Sequence, residues 1–185
     1  DTICDGDNIG VTLTSPSTPT RQVRFRYTVE KPASVTVTPA GPENNLTPGT
    51  VLTNQIDNPT DSAQLVRFIV TPYTRNPGDD GEKCTGTNDT VYVWVEPTAA
   101  VSVSSGNDTI CDGDNVAILL SSPTESTRQV RFRYTHIPVA GVTVTPGAGN
   151  NLAPGYTITD QIDNSTDAAQ LVQFVVTPYT RNAGD

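Results

Sequence analysis

The side chains with chemistry to offer lie in two acidic glycine loops. One is Cys4, Asp5, Gly6, Asp7 and Asn8. The other runs Asn76, Pro77, Gly78, Asp79, Asp80 and Gly81, with Cys84 three residues on. If folding brings the loops together, Asp5, Asp7, Asp79 and Asp80 present the hard oxygen ligands that Ca2+ takes. The same residue types are also what tight turns use, and no Glu closes an EF-hand loop here. Calcium is therefore a candidate cofactor, with plain turn chemistry as the alternative.

The three cysteines, Cys4, Cys84 and Cys111, include no Cys-x-x-Cys pair, and His136 is the only histidine, so a thiolate metal site has too few ligands. Cys4 and Cys111 hold the same place in two copies of a repeat. Cys84 falls in a part that the second copy does not reach. One bridge per full repeat, Cys4 to Cys84, is the simplest expectation, with the partner of Cys111 beyond the sequence. Closing so long a loop stabilises by roughly 4–5 kcal/mol in the chain-entropy model and implies an oxidising compartment. His136, read as a solvent-facing loop residue, has no Ser or Cys nucleophile repeated alongside it. The paired carboxylates sit in turns rather than a cleft. The expectation is a protein that is not an enzyme.

The repeat positions all of these residues. The eight residues from Asp1 to Asn8 recur unchanged at 108–115, residues 21–28 recur at 128–135, and 71–76 recur at 177–182. A fixed period of about 107 residues sets the architecture before any local reading. Residues 1–100 form the first repeat. Residues 101–185 form a second that stops before the counterpart of 80–97, so the sequence is expected to be a piece of a longer protein. The connector contains Val101 and Val103, which are placed to pair as a leading strand of the second unit. Such a joint is expected to be stiff.

Composition agrees with strands. The chain has 14 Gly and 15 Pro and is rich in Thr, Ser and Asn. Apolar residues alternate at Ile9, Val11 and Leu13; Val23, Phe25 and Tyr27; Val35 and Val37; Val66, Phe68 and Val70; and Val91, Val93 and Val95. Period-two alternation in short runs between turns predicts half-buried strands. Residues 40–48 and 76–86 read as loops, and no stretch has a helical period. Single strand faces are too narrow to be stable alone, so two facing sheets are predicted: an all-β, tandem immunoglobulin-like sandwich. The second repeat lacks its last strand, which leaves residues 172–176 with an unpaired edge for continuing chain or a neighbour to fill.

Other features have a bland and a sharp reading. Arg24, Arg26, Arg131 and Arg133 make a basic stripe. It is either an anion site or a solvated face with cross-strand partners. Tyr92 and Trp94 are either a sugar-stacking platform or residues covered by a loop or a joint, the latter ranked first. Asn45, Asn88, Asn107 and Asn164 fit the N-glycosylation pattern, which would carry little meaning were the protein bacterial. A net charge of −9, from 20 acids against 11 bases, disfavours nucleic acid and anionic lipid. No apolar run is long enough for a membrane span.

The residues Ile3-Cys-Asp-Gly, Val23-Arg-Phe-Arg-Tyr-Thr and Lys83-Cys-Thr-Gly, followed by the run from Val91 to Pro97, resemble the PKD-like repeats of giant Bacteroidota cell-surface adhesins, including those of gliding motility. The resemblance implies an immunoglobulin-like sandwich, type IX secretion, and an extracellular role as a stalk or adhesive filament, with no catalytic residues. It also implies O-glycosylation where Asp-Ser/Thr precedes a suitable residue, which selects Thr2, Ser62, Thr90 and Thr109. The expected partners are neighbouring repeats and external surfaces or polysaccharide. Many weak contacts along an array would give avidity. The alternatives are a carbohydrate-binding module and a self-assembling filament subunit.

Overall fold

The computed structural model describes residues 1–79, 81–106 and 109–184. The chain divides into two compact units, Asp1–Thr98 and Ala99–Asp185. Strands are the only regular elements among the described residues.

In the first unit, β1 (Thr2–Cys4), β2 (Val11–Thr12), β3 (Gln22–Glu30), β4 (Thr36–Thr38) and β5 (Glu43–Leu46) are followed by β6 (Val51–Leu52), β7 (Gln55–Asp57), β8 (Gln64–Arg75), β9 (Cys84–Thr85) and β10 (Asp89–Glu96). One sheet has the order β1-β10-β8-β3-β5, with β9 also on β8. Opposite lie two short ladders, β2 with β6 and β4 with β7. The alternation read from sequence decides the core. Phe25 and Tyr27 of β3, Val66, Phe68 and Val70 of β8, and Val93 and Val95 of β10 turn inward. There they meet Ile9, Leu13, Val35, Val37, Leu52 and Ile56 from the other layer. Burying each large apolar side chain contributes about 1.5–3 kcal/mol.

This order, with a first strand running parallel to the last and β10-β8-β3 in one layer, is the connectivity of an immunoglobulin-like sandwich. β8 runs on through Pro72, which lies opposite Phe25 in the ladder with β3.

The second unit holds β11 (Ser102–Ser105), β12 (Ile118–Ser121), β13 (Gln129–Ile137), β14 (Val142–Thr145), β15 (Ala148–Leu152), β16 (Thr157–Ile158), β17 (Gln161–Asn164) and β18 (Gln173–Arg181). β11 pairs antiparallel with β12, so the connector segment does serve as a leading strand. β15-β13-β18 repeats β5-β3-β8.

Residues 43–46 were expected to be loop and instead form β5. Phe25 opposes Leu46 while Tyr27 opposes Glu43, so one extra residue is accommodated as a bulge. Asn45 takes it up at φ 60, and Asn151 does the same at φ 58 in the second unit. Asn tolerates this left-handed region better than other side chains. Local pattern does not reveal a strand whose regularity is broken in this way.

Candidate functional site

The repeated Cys-Asp-Gly-Asp loop is a structural clasp. Gly6, at φ 79, lets the chain turn so that its amide donates to the Ile56 carbonyl at 2.9 Å. Asp7 accepts from the Cys4 amide at 3.1 Å. Asp5 accepts from the Asn58 amide at 2.6 Å and from the Thr98 hydroxyl at 2.8 Å. Asn58, buried, then donates from Nδ2 to the Ser62 and Val95 carbonyls, both at 2.9 Å. The second unit reproduces most of this. Gly113 donates to Ile162, Asp114 accepts from Cys111, Asp112 accepts from the Asn164 amide at 2.6 Å, and Asn164 donates to Ala168 at 2.9 Å.

The Cys4–Cys84 bridge is not formed, and all three cysteine side chains are exposed. The register gives the reason. Cys4 is level with Glu96, next to the end of β8 where Val95 meets Gln64, whereas Cys84 faces Thr74. Ten residues of strand separate those levels, roughly 30 Å. A disulfide needs Cα atoms within about 7 Å. Cys84 lies instead beside the Arg21 guanidinium, with Sγ at 3.6 Å. The bridge therefore no longer argues for an oxidising compartment.

The same separation corrects the calcium expectation. Asp5 and Asp7 are at one end of the sheet. Asp79 lies in the loop at the other end, where its carboxylate accepts from Lys83 Nζ at 2.7 Å and from the Gly81 amide at 2.8 Å. Lys83, more than the backbone bond, holds the Asp79 carboxyl below its usual range. Asp80 lies outside the described residues, as does Asn107 of the N-glycosylation pattern. No group of three or more His, Cys, Asp or Glu side chains converges among the described residues.

The arginines are spent internally in the first unit. Arg24 reaches the Asn45 side chain at 3.2 Å and Gln22 at 2.9 Å. Arg26 pairs with Glu82 and lies 5.9 Å from the Tyr73 ring centre. The hydrogen bond to Glu82 is the main reason the guanidinium holds its proton more tightly than usual. In the second unit Arg131 bonds Gln129 at 2.8 Å, and Arg133 is exposed. His136 is a half-buried residue of β13 rather than a loop residue, and its Nδ1 lies 2.9 Å from the Gly147 carbonyl.

Of the glycosylation candidates, Thr109 is exposed, while Thr2, Ser62 and Thr90 are half-buried. Tyr92 and Trp94, expected to be covered, are 53% and 41% exposed on the outer face of β10. Beside them on β8 stand Arg67 and Leu65. The Arg67 guanidinium lies 5.8 Å from the Tyr92 ring centre and pairs with Glu30 at 3.6 Å. Sequence reasoning passed over Leu65 and Arg67. The alternation that turns Val66 and Phe68 inward already places these two outward, so the signal was present in the period.

No family model matches the chain. No curated protein matches it either. Among solved structures it is similar to the crystal structure of the CsuC–CsuE chaperone–tip adhesion subunit pre-assembly complex from archaic chaperone-usher Csu pili of Acinetobacter baumannii. Identity is 10%, the match covers 95% of this chain and 93% of that one, and the TM-score is 0.32. The immunoglobulin-like assignment stands on the strand order and shared core described above.

Proposed function

We propose that the chain is a pair of non-catalytic, PKD-like immunoglobulin repeats from a long secreted bacterial surface protein, serving as a stalk or adhesive filament. The observation that carries this reading is the clasp. The signature residues shared by both repeats are committed to holding strands together, with Asp5, Asp7, Asn58 and their counterparts bonded within their own unit. A repeat kept for spacing and mechanical strength puts its shared residues there, whereas an enzyme family puts them in a cleft. No helix of the described residues is long and apolar enough to cross a membrane. O-linked sugars at Thr2, Ser62, Thr90 and Thr109 belong to the same reading, with exposed Thr109 the most accessible.

An antibody raised against these repeats should detect a native protein far larger than 19.6 kDa, lost from intact cells on external protease treatment. A band near 20 kDa, protected from that protease, overturns the reading. One observation favours a second reading. Exposed Tyr92 and Trp94, with Arg67 beside them, form a flat aromatic surface of the kind that stacks on sugars. Glycan-array binding lost on Trp94→Ala would support it.

A further inference from the structure

The outer face of the first unit's larger sheet carries two transverse rows of side chains. In one, the ladders set Tyr92 of β10 opposite Arg67 of β8, and Arg67 opposite Glu30 of β3. In the other, Trp94 stands opposite Leu65. Strands lie about 4.8 Å apart and alternate residues about 6.7 Å along them, so the first row spans about 10 Å and the second adjoins it. Tyr92 and Trp94 are exposed, and the Arg67 and Glu30 side chains are about half exposed. Beside them opens a pocket of about 240 Å³ lined by Glu30, Lys31, Pro32, Leu65 and Arg67. Leu65 and Arg67 belong to both the pocket and the aromatic face, so the two form one surface.

The chemistry of this surface is selective. Arg67 offers only donors and Glu30 only acceptors, side by side at 3.6 Å. Neighbouring sugar hydroxyls both donate and accept, and so match such a pair, whereas a ligand carboxylate would meet the charge of Glu30. Lys31 is turned to the Val35 carbonyl, to which its Nζ donates. The net charge of −9 adds a general repulsion against polyanions. Trp94 and Leu65 give the C–H face of a pyranose ring an apolar floor. The apolar part consists of Tyr92, Trp94 and Leu65 alone, against the roughly 20–30 residues a side of a stable protein interface. The pocket is smaller than the roughly 300 Å³ at which drug-sized sites begin, which suits one ring.

We propose that this surface binds a single neutral pyranose residue, its ring over Trp94 and Leu65 and its adjacent hydroxyls bonded to Arg67 and Glu30. The inference rests on the sugar-binding reading of Tyr92 and Trp94, and narrows it to a ligand class and a set of contacts. The site belongs to the first unit. The second carries Ile137 opposite Gln173 at the places of Glu30 and Arg67, so the charged pair is gone. The units share their clasp and differ here, which makes the repeats alike in fold and distinct in what their faces bind.

The test titrates the intact 185-residue chain with methyl β-glucoside, methyl β-galactoside and methyl α-mannoside, and with methyl β-glucuronide as the acidic probe, following backbone amide shifts. At least one neutral glycoside should saturate in the millimolar range, shifting residues 30–32, 65–67 and 92–94 and leaving 137 and 171–173 unmoved. The glucuronide should bind at least about threefold more weakly than that glycoside. Trp94→Ala should abolish saturable binding. The double variant Glu30→Ile, Arg67→Gln copies residues that the second unit carries at the same ladder position, and should weaken binding roughly tenfold, the value of one or two hydrogen bonds. Its amide spectrum reports its fold, and if it unfolds the glucuronide comparison on the parent chain decides. Binding lost in Trp94→Ala but unchanged in the folded double variant overturns this assignment and leaves the sugar-binding reading standing. Equal or tighter binding of the glucuronide does the same. No saturable shift with any probe overturns both.

Discussion

Tyr134 donates its hydroxyl proton to the buried carboxylate of Asp160 at 2.7 Å, whereas the equivalent Tyr27 accepts from the amide of Asn54 at 2.9 Å. The repeats thus solve one packing problem with opposite hydrogen-bond polarity. Each acceptor or donor is matched by its surroundings. Asn54 also donates to the Pro39 carbonyl at 2.7 Å, and Asp160 also accepts from the Gly147 amide at 2.9 Å.

The two exchanges are therefore unequal. Asn54→Asp places a carboxylate against a carbonyl, and should cost the first unit about 1–3 kcal/mol, the penalty of an unsatisfied buried group. Asp160→Asn can point Oδ1 at Gly147 and Nδ2 at Tyr134, and should cost no more than about 1 kcal/mol. Denaturant melts of both variants check the difference. The Asn54→Asp deficit should shrink as pH falls, because protonation restores a donor. Equal losses would contradict the assignment.

Burial, then the bond to Asp160, raises the Tyr134 hydroxyl well above the ordinary phenol value. The fold favours the neutral phenol, so its contribution is fully present below the unfolded value of about 10 and is lost as pH rises from there toward the folded value. Melting temperature should fall across this alkaline range. The phenolate absorbance of Tyr134 should appear with unfolding, not before it. A Tyr134 that titrates freely in the folded chain would contradict this.

The clasp makes a distinct prediction. Asp5→Ala removes acceptors for the Asn58 amide and the Thr98 hydroxyl, and should destabilise the first unit by about 1–3 kcal/mol. Millimolar calcium should leave the melting of the parent chain unchanged. A calcium-dependent rise in melting temperature abolished by Asp5→Ala would restore a metal role.

Native alkylation should modify Cys4, Cys84 and Cys111 alike, since all three are exposed. The double variant Cys4→Ala, Cys84→Ala should melt within about 0.5 kcal/mol of the parent, as surface changes do. A loss of several kcal/mol would return the bridge.

At the bulge, Asn45→Val should cost about 1–2 kcal/mol for a β-branched residue in the left-handed region, while Asn45→Gly should cost less. Thermal melts compare them. A tolerated Val would mean that the bulge relaxes.

The strands with strict alternation, β3, β8 and β10, were legible because their inward residues face a full layer. β5 was not, because its geometry comes from a bulge and its pairing from β3. β1 was missed for a related reason: Thr2-Ile-Cys carries no pattern of its own, and its strand comes from parallel pairing with β10. The cysteines misled because counting them assigns partners without saying where each lies along β8. The Arg67 and Tyr92 contact was implicit in the alternation, but alternation alone does not say which outward residues stay uncovered.

The parallel pairing of Thr2–Cys4 with Trp94 to Glu96 joins the two ends of the first unit's strand path side by side. Tension applied at the start of β1 and at the end of β10 acts along those strands in opposite senses. The cross-links between them are then strained together rather than peeled one after another, so that three short residues at the margin of the sheet become its lock against pulling.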